Sequence, residues 1–174
     1  IMNNNFYNKI FLILILVSFS LAAKAEEKKN ISEHEYNFYT GNFDFSDDKQ
    51  KALLVGFQHQ NENLKRNTFL GNASPITGAF VTENSAAYIY TGVEWNYAMS
   101  DKFSFTPSFT PGIYHQGDGK DLGSALEFKT EVQASYYVSE STSFGMSYNH
   151  ISNASLGDKN PGANSYMFNL LKNF

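Results

Sequence analysis

Cysteine is absent from the 174-residue chain, which excludes a disulfide framework, a thiolate metal site and a cysteine nucleophile. Its absence also removes thiols as a guide to redox compartment, so the compartment has to be read from targeting signals. Basic residues are scarce: 13 Lys and Arg stand against 17 Asp and Glu, for a formal net charge of −4. That balance argues against nucleic acid as a partner, and it means that bulk charge alone does not capture a phosphorylated substrate. No glycine-rich phosphate loop, low-complexity linker or internal repeat occurs, so a single domain is expected.

Long apolar runs are confined to 10–21. Lys9 precedes that run and Ala23-Lys24-Ala25 follows it, a small-x-small cleavage pattern. Such a run rises about 18 Å as helix against a hydrocarbon core of about 30 Å, so a cleaved export signal is the better reading than a membrane anchor. Residues 1–25 are therefore expected to be a signal peptide and 26–174 the mature part. Losing Lys9 and Lys24 makes the mature chain more acidic still.

What the sequence has in excess is aromatic residues, 16% of the chain, and from residue 35 onward they alternate with polar ones. Over 102–113, Phe103, Phe105, Pro107, Phe109, Pro111 and Ile113 share one strand face, and Ser104, Thr106, Ser108, Thr110 and Gly112 the other. Over 122–136, Leu122, Leu126, Phe128, Val132, Ala134 and Tyr136 oppose Glu127, Lys129, Glu131, Gln133 and Ser135. Those charges require a wet or well-paired interior. Further strands are expected at 36–45, around Leu53-Val55-Phe57, at 68–81 and 87–97, around Phe144-Met146-Tyr148, and at 166–174.

The total is about eight, the smallest usual closed membrane barrel. Turns are placed at Asp47-Asp48, 61–67, Glu83-Asn84, Ser100-Asp101, Gly117-Asp118-Gly119 and Ser139-Glu140. Pro107 and Pro111 remove ladder donors, so a bulge or an early strand end is expected there.

Alternation by itself does not distinguish a membrane barrel from a soluble sandwich or lipocalin-like barrel, which turns its large apolar residues inward. The last strand decides. It ends in Phe174 with aromatic and apolar residues at most alternate positions before it, and it resembles the signal by which outer-membrane barrels are assembled. The expected fold is an all-β, eight-stranded antiparallel transmembrane β-barrel, in the outer membrane of a Gram-negative bacterium.

Chemistry concentrates between His150 and Tyr166. His150 and Ser152 lie two apart, hence on one face and about 6.6 Å apart along a strand. Imidazole and hydroxyl at that spacing form a general base and a nucleophile, given a group to orient the other ring nitrogen and donors for an oxyanion. Both continue the series Phe144, Met146, Tyr148, so in a membrane barrel they face lipid, where an ionisable side chain is costly unless it sits at the interface or has a function. Asn164 shares parity with Tyr166, Phe168 and Leu170 and is expected outward beside His150.

The pattern His150-x-Ser152-Asn153-Ala154, followed by Asn160-x-Gly162-x-Asn164-Ser165-Tyr166, resembles the active-site segment of the PagL-type lipid A 3-O-deacylases. Leu122-Gly123-Ser124-Ala125-Leu126-x-Phe128 is similar to that family as well. The resemblance implies an outer-membrane barrel whose substrate is lipid A, the membrane part of lipopolysaccharide, cleaved at its 3-O-linked hydroxyacyl ester without metal or organic cofactor. It implies Ser152 as nucleophile, His150 as base, Asn164 as the orienting group, and Asn160 and Asn153 as oxyanion donors. Asn164 stands where the family has glutamate, and Ser155 where glycine is common. An amide orients an imidazole but does not neutralise an imidazolium, and a comparable acid-to-amide change in a serine protease costs about 10⁴ in turnover.

Other residues point less far. His34, His59 and His115 fall in separate elements without ligand spacing, so no metal site is expected. Asp118 reads as a turn residue; Lys28-Lys29 and Lys65-Arg66 as solvated pairs able to touch lipid phosphate; Trp95 and the tyrosines as interfacial anchors. The alternative to a lipid hydrolase is a non-catalytic small barrel with a structural or adhesive role. Whether the barrel forms a homodimer is left open.

Overall fold

The computed structural model describes residues 34–174, so the expected signal peptide and Lys28-Lys29 lie outside the described residues. Ten strands follow one another: β1 (His34–Phe43), β2 (Ala52–Asn61), β3 (Arg66–Thr68), β4 (Gly71–Thr82), β5 (Ala87–Trp95), β6 (Tyr97–Ala98), β7 (Phe103–His115), β8 (Leu126–Ser139), β9 (Thr142–Ser152) and β10 (Ala163–Asn173). Two are short: β3 extends the hairpin before β4, and β6 continues β5. The eight long strands pair antiparallel with their neighbours, β1 with β10 and β2 with β4, so the sheet closes on itself.

The barrel is turned inside out relative to a soluble protein. Alternate outward residues are large and apolar, as with Phe38 at 55%, Ile89 at 65%, Phe144 at 56% and Phe168 at 56% exposed. An apolar surface of this kind over every strand is tolerated only against lipid. The lumen holds the complementary set. Lys129 pairs with Glu131 at 2.8 Å and lies 4.1 Å above the Tyr90 ring. Gln58 donates to Glu94 at 3.0 Å, and Asn37 to Gln133 and Asn169 at 3.2 and 3.1 Å. Lys129 and Glu131 on the inner face of β8 are thus paired rather than wet, and side chains fill a cylinder of eight strands.

Three expectations are corrected. Pro107 and Pro111 cause neither a bulge nor an early end: β7 keeps one register along β8 and one along β5 and β6. On the β5 side, paired residues are lacking opposite both prolines, and β5 breaks from β6 at Asn96. Each proline removes its own ladder bond and points its ring at lipid, which leaves the register intact. Second, Tyr39, Tyr88, Tyr90 and Tyr114 are buried in the lumen rather than anchored at the interface. Their hydroxyls find partners there, Tyr39 with Tyr90 at 3.0 Å and Tyr88 on the Thr110 and Glu127 carbonyls. Third, β8 starts at Leu126, and Leu122 is a buried loop residue.

Strand direction defines two rims. The upper rim carries the connections 44–51, 83–86, 116–125 and 153–162; the lower rim carries 62–70, 99–102 and 140–141 together with His34 and Phe174. The two longest connections, 116–125 and 153–162, share the upper rim, and the shortest turn, 140–141, lies on the lower, which follows the usual outer-membrane arrangement, in which the long loops face outside the cell.

Candidate active site

At the top of β9 the outward apolar series Phe144, Met146, Tyr148 gives way to His150 and Ser152, both half-buried on the same outer face. β10 brings Asn164 directly opposite, since Asn164 and His150 are register partners. The His150 Nδ1 lies 2.9 Å from Asn164 Oδ1, and the Tyr148 hydroxyl donates to that same oxygen at 2.8 Å. With an oxygen as its partner, Nδ1 is the donor of this pair, which leaves Nε2 as the ring nitrogen outside it. The Cε1 and Nε2 edge of the ring lies over Gly162: a Cβ there would stand 2.8 Å from Cε1, and φ of +63° further favours glycine. Among the described residues no hydrogen bond joins the Ser152 hydroxyl to another group.

The loop 153–162 has its own framework, and Asn153 is its centre. Fully buried, Asn153 donates through Nδ2 to the carbonyls of Leu122 and Lys159 at 2.9 and 2.8 Å. Its Oδ1 accepts from Ser155 N–H at 3.0 Å, and its own N–H donates to Asn160 Oδ1 at 3.1 Å. The Asn153 amide is therefore spent on holding the loop. Asn160, exposed, is anchored through its oxygen, which directs its two amide hydrogens away from Asn153.

Gly123, at φ +90°, lets the loop 116–125 close onto this framework, because a Cβ there would stand 2.2 Å from the Lys159 carbonyl. Asp121 and Lys159 pair across the two loops at 2.7 Å. The hydrogen bond from Lys159, and then that from Gly123 N–H, hold the Asp121 carboxyl below its ordinary range. Ala154 and Ser155 take positive φ of 53° and 64°, a region that costs a non-glycine side chain and accounts for glycine being common at the second position.

The structure thus brings His150, Asn164 and Ser152 to one patch of the outer rim, with Asn160 on the adjoining loop, and puts Asn153 beneath them. Sequence reading missed Tyr148 as a second donor to Asn164, although its parity was known. It also missed Asp44, Ser46 and Lys120, which reach the site from loops at least 44 positions away in sequence from Asn164 and carry no local motif. Asp158 is exposed in the loop. His34 and His59, expected apart, meet on the lower rim with ring nitrogens 3.0 Å apart. Among the described residues no group of three metal-ligating side chains assembles.

A closed barrel with a polar core, an apolar belt and an outward imidazole at the rim belongs to the small membrane barrels, with His150, Ser152 and Asn164 turned to the lipid boundary. A family model described as Lipid A 3-O-deacylase (PagL) matches residues 38–173, and the chain belongs to that family. The crystal structure of the outer membrane enzyme PagL superimposes with a TM-score of 0.63 at 17% identity, covering 80% of this chain and 99% of that one. A de novo designed transmembrane β-barrel gives 0.56 at 10% identity, over 86% and 99% of the two chains. Neisserial surface protein A gives 0.56 at 8%, over 81% and 96%. At such identities these structures speak for the fold alone. No curated protein matches the chain.

Proposed function

We propose that the protein is an outer-membrane esterase that removes the 3-O-linked hydroxyacyl chain of lipid A, with Ser152 as nucleophile and His150 as general base. The observation that carries this reading is the outward His150–Asn164 hydrogen bond at the upper rim, with Ser152 as the next outward residue of the same strand. Lipid A diffuses laterally until its ester lies beside Ser152. His150 Nε2 takes the hydroxyl proton as Oγ attacks the carbonyl, and the Asn160 amide donates to the oxyanion. The protonated imidazole then gives its proton to the departing sugar oxygen. Water, activated by the same nitrogen, frees the acyl chain and restores Ser152. Asn164 holds the ring and its tautomer through Nδ1. The Ser152–His150 bond closes as substrate is engaged, since catalytic hydrogen bonds are often long before substrate binds.

Export follows from residues 1–25 acting as a leader cut after Ala25, leaving 26–174 to form the barrel. A non-catalytic barrel is favoured by one observation, the amide at position 164 in place of the family's glutamate. Mass spectrometry of lipid A from an outer-membrane-bearing host separates the two. The wild-type chain is expected to release one hydroxyacyl unit and Ser152→Ala none, a fall of roughly 10³-fold or more. Unchanged lipid A beside a correctly folded wild-type barrel and a 3-O-acylated substrate overturns the esterase.

A further inference from the structure

Asn164 poses a problem of direction. A carboxylate presents an acceptor to His150 whichever way it turns, whereas an amide presents either its oxygen or its NH₂, and only the oxygen fixes the Nδ1–H tautomer that leaves Nε2 basic. Something must choose between the two orientations. On the side of Asn164 away from His150, Nδ2 donates to Ser46 Oγ at 3.3 Å, and Ser46 Oγ donates in turn to Asp44 Oδ1 at 3.4 Å. Asp44 is 1% exposed, and its other oxygen, Oδ2, is paired with Lys120. Asp44 Oδ1 also accepts the Asn164 main-chain N–H at 3.3 Å, while Phe45 N–H donates to the Asn164 carbonyl at 2.9 Å. Asp44 itself stands at φ +49°, a strained backbone position held by these contacts.

The chain of bonds has one allowed polarity. A carboxylate paired with lysine only accepts, so the Ser46 proton must point to Asp44. The lone pairs of Ser46 are then what Asn164 meets, and they take the NH₂ end of its amide. The oxygen end is left for His150 Nδ1 and the Tyr148 hydroxyl, two donors that the reverse orientation would leave facing NH₂. We infer that Asp44, acting through Ser46, is a positioning residue that sets the orientation of the Asn164 amide and thereby the tautomer of His150, replacing the directional security that a glutamate would give. The inference rests on the esterase reading above.

The test measures the initial rate of lipid A deacylation by the full chain in outer membranes, with folding followed by gel migration of unboiled barrels. Asp44→Asn offers Ser46 a donor in place of a second lone pair, so the chain can run backwards. It is expected to lower the rate about tenfold, the factor carried by one hydrogen bond. Ser46→Ala cuts the chain while sparing the Asp44–Lys120 pair and is expected to lower the rate severalfold, and Ser46→Thr to restore it. In an Asn164→Glu background, where orientation no longer matters, Asp44→Asn and Ser46→Ala should each cost less than about twofold, a rescue that loss of loop packing would not show. Equal losses in both backgrounds, or no loss from Asp44→Asn in the wild-type background, overturn the inference while the esterase stands. Absence of deacylation by both the wild type and Asn164→Glu overturns the esterase itself, and the positioning role with it.

Discussion

Two histidine neighbourhoods sit on the outside of this barrel at opposite rims, and they differ in what surrounds the ring rather than in where the ring points. On the lower rim His59 stacks on Tyr36 with centroids 4.9 Å apart and meets His34 at 3.0 Å, while Phe174 packs edge-on against Tyr36. On the upper rim His150 has an amide oxygen on Nδ1, a glycine under its far edge and a serine as the next outward residue. Both positions satisfy the rule that an ionisable side chain on the lipid face belongs near the interface. Only the upper one adds an outward serine and an amide oxygen on Nδ1. An outward histidine is thus a statement about the membrane boundary, and the esterase proposed above rests on its neighbours on the adjoining strand and loop.

The comparison breaks most sharply under substitution of the two rings. His150→Gln is expected to lower lipid A deacylation by roughly 10³-fold or more, as for loss of the base in a Ser-His site, while His59→Gln leaves the rate within about twofold. Equal effects, measured by lipid A mass spectrometry on barrels of matched abundance, would mean that neither rim is special.

Next in size is a change that touches neither rim. Lys129→Met leaves the Glu131 carboxylate in the lumen without its cation and is expected to cost about 3 kcal/mol of barrel stability. The midpoint of heat-induced migration shift on gels reads that loss, and deacylation below the midpoint should be unchanged if the difference between the rims is local. The smallest effect concerns the loop pair Asp121–Lys159. Because the Asp121 carboxyl titrates below its ordinary 3.8 when folded, the contribution of the pair is complete above that value and is lost as pH falls through the lowered one. Proteolysis of the upper loops should therefore rise on acidification below pH 3.8 in the wild type, and less steeply in Asp121→Asn. Both groups are exposed, so the change should be slight.

Much of the fold was legible because a strand writes its two faces into the sequence at period 2, and a barrel in lipid makes those faces chemically opposite. Five of the eight long strands were expected from that period, while β1, β4 and β10 were added as further candidates, β1 and β4 because their alternation is poor; the inner charges of β8 were assigned to the polar side. Parity likewise put His150, Ser152 and Asn164 on one face. The tyrosines were misread because a ring with one hydroxyl suits an interface and a polar lumen equally well, and period alone does not separate Tyr88 from Tyr148. The prolines were misread because their cost depends on which side of the strand loses its donor.

The sequence alone indicated about eight strands, two unlike faces on the most regular of them and a segment at 150–166 that resembles the family's motif, since all three are local patterns that survive without knowledge of partners. Only the tertiary structure decided what orients Asn164, because Asp44 and Ser46 reach it across 120 and 118 positions of chain. Only it decided that the Asn153 amide builds the loop, since hydrogen-bonding capacity is finite and its partners Leu122 and Lys159 lie on different loops. Closure of the sheet makes these distant residues neighbours, and no periodicity encodes closure.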